Sequence, residues 1–370
     1  MVKRIFLIPS IQVKLEKPKV ITSIYPAEPQ IMYGYNIFIG KNREKMEIIN
    51  KLPESQQKVH LVVNSLETYI PSNVADSVST HFSKKYMKSA IELDNSYFHV
   101  WEILSDNDLL KESKKICVAA ISSNPTKVLS CVSLYRNNTK DVYCAIDFDP
   151  KVKEEVECTS GKIEKVNFEK GKDVKNIKKE FFEKTKENFT KKQSATLVIA
   201  DGQGDIITGG VYLTEVVLGL NILEKNGTFI LYLNEAFKVV TVKLITILSS
   251  LFEKVTLHKP ATSKDYISEF YVVCIKYKEN KDLIKTLTTL LEKAVKESDY
   301  IVDIFPELEI PTSVKDAIVE ANNNFVEIEY QCINKIYEFI LEKNFYGVKY
   351  HNYLETQLGN SREWIKSYIK

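Results

Sequence analysis

The sequence predicts an α/β fold with a doubly wound, mostly parallel sheet between residues 114 and 277. Apolar segments of strand length, such as "KKICVAAIS" and "ATLVIADGQGD", alternate there with longer segments of helical periodicity. This alternation is typical of a parallel sheet that helices cover on both faces. The last two strand-like segments, "KVTLHKP" and "EFYVVCIKY", have no full helix between them, so we expect them to form an antiparallel edge.

The elements of this region follow one another in a regular order. The run "KKICVAAIS" predicts a first buried strand, and "DVYCAIDFD", "ATLVIADGQGD" and "TFILYL" predict three more. Helical periodicity lies between them. The predicted helices are "PTKVLSCVSLYRN", "VYLTEVVLGLNILEKNG", which ends at an Asn-Gly stop, and "FKVVTVKLITILSSLF".

Two regions of different pattern flank the sheet. Residues 1–75 are predicted to be β-rich, because "RIFLIPSIQVKL", "KVITSIY", "YGYNIFIG" and "KVHLVVNSL" are short apolar or alternating runs broken by Pro, Gly and Asn. Helical patterns such as "SVSTHFSKKYMKSAIEL" follow, and residues 280–370 are predicted to form a helical region. We therefore divide the chain into regions 1–75, 76–279 and 280–370.

A lysine-rich insertion, residues 160–193, interrupts the central region. Its segment from 162 to 192 carries 11 lysines against six acidic residues. Two interpretations stay open: a solvated amphipathic helix, or a patch that contacts RNA phosphates. The second interpretation makes RNA contacts of Lys178, Lys179, Lys191 and Lys192.

Composition excludes some classes of function. The net charge is +2, so nucleic-acid binding has no support from the total charge and needs a local patch. The six cysteines form no CxxC pair, which predicts buried thiols in a reducing compartment, and the scattered histidines predict no metal site. No apolar run reaches the length of a membrane span, so we expect a cytoplasmic protein.

Polar residues follow the predicted strands at the edge where such sheets bind ligands. In an open α/β sheet, ligands bind beyond the carboxyl ends of the strands. Glu269 begins the last strand, whose antiparallel direction brings it to the same rim. The candidates at this rim are Ser122 to Lys127, Asp147, Asp149, Asp201, Tyr232, Asn234 and Glu269.

The segments "LVIADGQGD", "NGTFILYL" and "LFEKVTLHKPATSKDYISEFYVVC" resemble the FtsJ-type ribose 2'-O-methyltransferases, especially those that modify mRNA caps. The family pattern KPxTS(R/K)xxxSExYVV is matched without a gap from Lys259 to Val273. The resemblance covers roughly residues 76–345. It implies a Rossmann-like methyltransferase fold, S-adenosylmethionine as cofactor and an RNA ribose as substrate.

The family catalyses methyl transfer with a Lys-Asp-Lys-Glu tetrad, in which a lysine of depressed pKa accepts the proton of the ribose hydroxyl. The resemblance assigns Lys88, Asp201 and Glu269 to three of the four positions. The remaining lysine falls on Tyr232. A tyrosine is no substitute for this base, because its unperturbed pKa is about 10 and it becomes negative on losing a proton. Lys238, six residues on, stays open as a replacement.

The cofactor loop departs from the family as well. The family reads GxPGG there, because glycine lets the backbone approach the cofactor closely. This chain reads "SSNPTKV": Pro125 is kept, and the glycine positions fall on Asn124, Thr126 and Lys127. Side chains at these positions are expected to crowd the cofactor. Asp147 is the residue that could still bind the ribose of a cofactor.

The two departures together predict a fold kept after its activity was lost. The leading hypothesis is a catalytically inactive methyltransferase-like subunit of an RNA capping, processing or polymerase assembly. It uses no cofactor, binds RNA, protein or both, and comes from a virus or an AT-rich eukaryote; in a virus, a virion or viral factory replaces the cytoplasm as its location. Tyr33, Tyr35 and Phe38 either stack on bases or pack within a strand.

Two alternatives remain. One is an active S-adenosylmethionine-dependent cap ribose methyltransferase, in which Lys88, Asp201 and Glu269 are catalytic and Lys238 or a partner's residue supplies the base. The other is a structural interaction protein with no role in RNA binding.

Overall fold

An eight-stranded sheet forms the centre of the protein, in the order β1-β8-β9-β7-β6-β3-β4-β5. The computed structural model describes residues 3–15, 17–66, 69–70, 72–86, 93, 95–122, 125–147, 162–167, 194–202, 210–294 and 300–369. The strands are β1 (Ile5–Ile8), β2 (Val20–Ser23), β3 (Cys117–Ser122), β4 (Val142–Asp147), β5 (Lys162–Asn167), β6 (Ala195–Asp201), β7 (Leu223–Leu233), β8 (Phe252–His258), β9 (Phe270–Tyr277) and β10 (Tyr300–Ile304).

The directions of the strands confirm the doubly wound sheet. Strands β5, β4, β3, β6 and β7 are parallel neighbours, as the buried apolar runs predicted. β9 is antiparallel to both β7 and β8, which confirms the antiparallel pairing of the last two predicted strands. The sheet does not end there, since β1 pairs with β8 and forms the outer edge. Separately, β2 and β10 form a two-stranded antiparallel sheet. The prediction of a helical region over residues 280–370 is therefore wrong for residues 300–304.

The helices lie on both faces of the central sheet. Those on one face bury residues against Ala119 and Ile121 of β3, and those on the other face against its Val118 and Ala120. The helices are α1 (Tyr33–Glu44), α2 (Glu54–Gln57), α3 (Val59–Val62), α4 (Val78–Tyr86), α5 (Asn95–Asp106), α6 (Pro125–Arg136), α7 (Gly210–Ile222), α8 (Val239–Leu251), α9 (Lys281–Ala294), α10 (Thr312–Leu341) and α11 (Val348–Tyr368), with a 3₁₀ helix at Lys45–Lys51.

Each face has its own set of helices. Helices α7, α8, α9 and α10 bury apolar side chains in one core. Helices α4, α5 and α6 do so in the other, where Trp364 of α11 joins them. The last helix of the chain therefore packs beside elements that come more than two hundred residues earlier.

The prediction of a β-rich region over residues 1–75 is wrong for residues 33–62. Strands β1 and β2 are present, but "YGYNIFIG" lies in α1, and Val59–Val62 of "KVHLVVNSL" form α3. Short apolar runs fit either periodicity, and tertiary packing decides between them. Here Ile39 is buried against Phe237 and Val326, which favours the helix. The domain boundaries at 75 and 280 stay predictions.

The lysine-rich insertion begins with a strand instead of a helix. β5 pairs in parallel with β4 over six residues, from Val142↔Lys162 to Asp147↔Asn167. The interpretation as an amphipathic helix is therefore wrong for residues 162–167, because the open edge of β4 offers backbone hydrogen bonds that propensity alone does not reveal. Lys178, Lys179, Lys191 and Lys192 lie outside the described residues.

The structure also bears on the cysteines and on membrane-spanning helices. Cys117, Cys131, Cys144, Cys274 and Cys332 are buried, as predicted, and Cys158 lies outside the described residues. Within the described ranges, none of the helices combines the length and the apolar character that crossing a bilayer requires.

Candidate active site

The carboxyl ends of the parallel strands meet in one register. Ser122, the last residue of β3, pairs with Asp147 on β4 and with Asp201 on β6. Ala200 pairs with Leu231 of β7, so Asp201 and Tyr232 occupy the next position on these neighbouring strands. One line of residues across the sheet therefore carries four of the candidates: Ser122, Asp147, Asp201 and Tyr232.

On the antiparallel side, the same line continues through Tyr271. This residue of β9 pairs with Tyr232 on one side and with His258 on the other. The rings of Tyr232 and Tyr271 are in edge-to-face contact, with centroids 5.5 Å apart. Glu269 comes one residue before β9 and lies at this rim, as its position in the sequence predicted.

Tyr232 is a hydrogen-bond donor in this site. Its hydroxyl lies 3.3 Å from the Oε2 atom of Glu269. Burial raises the pKa of Tyr232 far above its usual value, and the negative charges of Glu269 and Asp201 raise it further. The hydroxyl is therefore protonated over the physiological range and donates to the carboxylate. A group in this state does not accept a proton from a substrate.

Glu269 is held by the loop that precedes it. Its Oε1 atom accepts a hydrogen bond of 2.9 Å from the backbone N–H of Lys264, while Oε2 faces Tyr232. Both carboxylate oxygens are thus engaged within this chain. The loop from residue 259 to residue 268, which we call the KP loop, sets the position of this side chain.

Lys259 holds the KP loop from inside. Its Nζ atom donates to the carbonyl oxygens of Lys264, Ile267 and Glu269, at 3.0, 2.7 and 3.2 Å. The side chain is fully buried, and this burial lowers its pKa, an effect that the charge of Glu269 partly offsets. The lysine of the KP motif therefore organises the backbone, and solvent does not reach it.

Two residues of α5, Glu102 and His99, form hydrogen bonds with the KP loop. The carboxylate of Glu102 accepts hydrogen bonds from the backbone N–H groups of Ala261 and Thr262, at 2.6 and 3.2 Å. The ring of His99 lies 3.1 Å from the carbonyl of Thr262 through Nε2 and 3.2 Å from the hydroxyl of Tyr271 through Nδ1. Because a carbonyl only accepts, Nε2 carries the proton and Nδ1 accepts from Tyr271.

Burial lowers the pKa of His99, and the negative charge of Glu269 opposes this shift. The imidazole is therefore neutral, in agreement with its two hydrogen bonds. It lies between α5, β9 and the KP loop, close enough to Glu269 to interact with its charge.

Charged residues from the flanking regions hold the other side of the KP loop. Arg43 of α1 donates to both carboxylate oxygens of Glu329 on α10 and, at 2.9 Å, to the hydroxyl of Ser268. Ser268 in turn donates to Glu329. This cluster binds the residue directly before Glu269, so the N-terminal and C-terminal regions both contribute to its position.

A second contact of this kind involves Asp265. It forms an ion pair of 2.8 Å with Arg4, which precedes β1, and accepts a hydrogen bond of 2.6 Å from Ser65. Sequence reasoning did not identify these roles of Arg4, Arg43 and Glu329. Their partners are separated from them by 61 to 286 residues, so no local pattern records them.

Glu215 of α7 supports the turn after β6. Its Oε1 atom accepts a hydrogen bond of 2.6 Å from the backbone N–H of Gly202. The side chain is fully buried beside Asp201, and burial raises its pKa well above the usual value, with a further contribution from the charge of Asp201. Glu215 thus fixes the backbone next to Asp201, and its burial favours the neutral form.

The expected cofactor side is only partly described. Pro125 is buried at the start of α6, and the hydroxyl of Ser122 donates to the carbonyl of Asp201 at 2.9 Å. Asp147 is the last residue of β4. Lys238 directly precedes α8, and its backbone N–H donates to Glu235 at 3.0 Å. Lys88, Asn124 and Asp149 lie outside the described residues.

Glu102, Asp106 and His258 come close enough together to suggest a cation site. Contacts within the protein explain why these groups lie close together. Asp106 lies 3.3 Å from Nε2 of His258 and accepts from Tyr368 at 2.8 Å, while Glu102 binds the KP loop and Trp364. The cluster connects α5 with the sheet and with α11.

Part of this chain is similar to known proteins of one family. The family described as FtsJ-like methyltransferase matches residues 101–277. The cap-specific mRNA (nucleoside-2'-O-)-methyltransferase 2 of Drosophila melanogaster is 34% identical over 126 residues, which are 31% of this chain and 18% of that protein. The cap-specific mRNA (nucleoside-2'-O-)-methyltransferase 1 of Xenopus laevis is 29% identical over 142 residues, 37% of this chain and 17% of that protein.

A solved structure, human methyltransferase-like protein 13 in complex with SAH, is similar with a TM-score of 0.34 and 12% identity, over 55% of this chain and 91% of that one. The matches to the two curated relatives span less than a fifth of their length. The order and directions of the strands, together with the family match, confirm the expected Rossmann-like methyltransferase fold. Residues 101–277 of this chain match the FtsJ-like methyltransferase family, and the curated cap-specific methyltransferases are similar over part of their length.

Proposed function

We propose that this protein is a methyltransferase-like protein without methyl-transfer activity, which binds RNA as part of an assembly that caps or processes transcripts. The observation that carries this proposal is the contact between Tyr232 and Glu269. A neutral phenol stands where a ribose 2'-O-methyltransferase needs an amine that accepts the proton of a hydroxyl.

The electrostatics support the loss of this base. A lysine between two carboxylates is a cation whose charge they stabilise, and on losing its proton it becomes a neutral amine. Tyr232 in the same surroundings would have to become a buried anion beside Glu269 and Asp201, and its burial, together with their charges, raises its pKa. Activation of a ribose hydroxyl by Tyr232 is therefore unfavourable at every physiological pH.

The loop after β3 supports the absence of a cofactor. The sequence places side chains at positions 124, 126 and 127, where the family has glycines, and α6 begins immediately at Pro125. A bulky side chain in such a loop occupies the space into which a cofactor's methionine group would extend. The fold and the KP loop are kept, which preserves a surface for RNA.

RNA is the proposed partner because the curated relatives are named as enzymes that act on mRNA. Protein subunits of the same assembly are the second proposed class of partner. The lysine-rich insertion stays a proposed phosphate contact, and a cytoplasmic or viral location stays a proposal.

Calorimetric titration with S-adenosylmethionine and S-adenosylhomocysteine, combined with a methyl-transfer assay on capped RNA, tests the absence of activity. We expect no binding and no transfer by the purified chain. Transfer of a methyl group to the ribose would contradict the proposal. Tyr232→Lys is the matched variant: if it gains cofactor-dependent transfer, then the base alone was missing and the cofactor loop is competent.

Binding of labelled capped and uncapped RNA over a salt series tests the second part. Affinity that falls steeply with salt is expected for contacts to phosphates. If no salt-dependent binding occurs, the RNA role is wrong, and the alternative of a purely structural protein gains support.

One observation favours an active enzyme as the second candidate. Asp201 and Glu269 lie at one rim of the sheet, and the KP loop binds the carboxylate of Glu269 through Lys264 and its carbonyl oxygen through Lys259. In that case Lys88 is the first lysine of the tetrad, and Lys238 or a partner's residue supplies the base. Loss of measured transfer in Asp201→Asn and Glu269→Gln would then be expected.

A further inference from the structure

Three aromatic side chains form a short stack on the outside of the protein. The rings of Tyr35 and Phe38 on α1 are stacked, with centroids 6.1 Å apart and planes 29° apart. Phe38 also contacts Tyr330 of α10, with centroids 5.0 Å apart and planes 39° apart. We call these three residues the aromatic stack.

The aromatic stack is accessible to a ligand. Phe38 is 45% exposed although it is a large apolar side chain, and Tyr33 and Ile37 beside it on α1 are exposed as well. Tyr35 and Tyr330 are half-buried against Ile39, Phe237 and Val326, so Phe38 is the exposed ring of the three. Burying such a surface against another flat ring is favourable.

The aromatic stack lies beside the candidate active site. The backbone N–H groups of Gln30 and Ile31, just before α1, donate to the carbonyl of Phe237, which follows β7 by four residues. At the other end of α1, Arg43 donates to Ser268, the residue before Glu269. Helix α1 therefore runs from the loop after Tyr232 to the loop before Glu269, along the rim of the sheet.

The charge of α1 fits a polyanion that follows this path. Lys41, exposed one turn after Phe38, carries a positive charge, and the helix has one acidic residue, Glu44; the charge of Arg43 is already paired with Glu329. A surface that combines stacked rings with nearby cations is the arrangement by which proteins bind single-stranded nucleic acid without reading its sequence.

We propose that the aromatic stack binds unpaired bases of an RNA strand whose backbone passes the candidate active site. This inference rests on the proposed RNA-binding function and names the part of the strand that is recognised: the faces of the bases, independent of their sequence. The stack contributes base contacts, while Lys41 contributes a contact to phosphate.

Fluorescence anisotropy with two labelled RNAs of equal length tests the proposal. One is unstructured and carries all its bases; the other has abasic sites in its centre and the same phosphates. We expect the full-length chain to prefer the RNA with bases. Phe38→Leu keeps apolar volume but removes the ring, and should weaken binding to that RNA by about fivefold or more while binding to the abasic RNA stays unchanged.

The salt dependence separates stacking from charge. Phe38→Leu should leave the slope of log affinity against log salt unchanged, whereas Lys41→Ala should lower that slope, since only the latter removes a phosphate contact. Phe38→Trp keeps a ring and should retain the preference for bases. Leu341→Ala is the matched control: it removes an exposed apolar side chain from α10, roughly 16 Å along the helix from Tyr330, and should change nothing.

The outcomes distinguish the two proposals. If the wild-type chain binds neither RNA, both the RNA-binding function and this inference are wrong. If it binds both RNAs equally, or if Phe38→Leu binds like the wild type while its thermal unfolding shows an intact fold, then RNA binding stands and the aromatic stack is a surface for another partner.

Discussion

The indole N–H of Trp364 on the last helix donates, at 3.1 Å, to the carboxylate of Glu102. The same carboxylate accepts the backbone N–H groups of Ala261 and Thr262. Helix α11 is thus connected through one buried acid to the KP loop, and the loop positions Glu269. A residue near the end of the chain acts on the centre of the candidate site.

Removing the indole N–H should loosen this connection. Trp364→Phe keeps an aromatic ring but deletes the donor to a buried carboxylate, and we expect it to lower the free energy of unfolding by about 1–3 kcal/mol. Urea denaturation measures the change. Lys366→Ala, at an exposed position two residues on, serves as the control and should have no measurable effect. Equal stability of the wild type and Trp364→Phe would show that the hydrogen bond is dispensable.

The ion pair of Arg43 with Glu329 should matter for the KP loop. Glu329 is fully buried, so Arg43→Ala leaves an uncompensated carboxylate and should cost about 2–3 kcal/mol, less than for a fully buried pair because Arg43 is partly exposed. The double variant Arg43→Ala with Glu329→Gln removes that charge and should recover part of the loss. A thermal-unfolding series measures both. If the double variant is as unstable as the sum of the two single variants, the pair is not coupled.

Acid should weaken the fold through His99. Burial lowers the pKa of His99 in the folded state, so the unfolded chain binds a proton first as the pH falls below about 6.5. The stability that the neutral ring contributes is therefore present above that pH and is lost towards lower pH, by at most about 1.4 kcal/mol per pH unit. His99→Gln keeps a donor and an acceptor but does not titrate.

Unfolding free energies between pH 7.5 and 5.5, as a function of pH, should fall less in His99→Gln than in the wild type. His351→Gln is the matched control, because His351 is exposed on α11. Identical pH profiles of the wild type and His99→Gln would contradict a neutral, buried imidazole.

Glu215 should make stability depend on pH in the opposite direction, so that a rising pH weakens the fold. Burial raises the pKa of Glu215 in the folded state, so above about pH 4.5 the unfolded chain releases a proton that the folded chain retains. This group therefore lowers stability progressively as the pH rises towards its folded pKa. Glu215→Gln keeps the acceptor for Gly202 and removes this dependence.

The melting temperature of Glu215→Gln relative to the wild type should rise between pH 5 and pH 8. Glu253→Gln, in which an exposed acid of β8 is changed, is the control and should show no such trend. A difference between the wild type and Glu215→Gln that does not change with pH would mean that Glu215 is ionised in the folded protein.

The site contains residues at strand ends, which the sequence could predict, and charged helical residues, which it could not. Asp201, Tyr232 and Glu269 lie at strand ends, and the sequence placed all three at one rim because the strands are strongly patterned and their order follows a known rule. Arg43, Glu102 and Glu329 could not be found this way, since each is an ordinary helical charge until its distant partner is known.

The sequence by itself determined the alternation of strands and helices, the antiparallel pairing near the end of the sheet and the absence of a lysine at position 232. Buried strands are nearly continuous apolar runs, so their pattern is local and legible. Only the tertiary structure decided that residues 33–44 form a helix, because the short apolar run fits both periodicities until Ile39 packs against Phe237. The same packing places Phe38 outside and Arg43 beside Ser268, and so it decides which face of α1 a partner can reach.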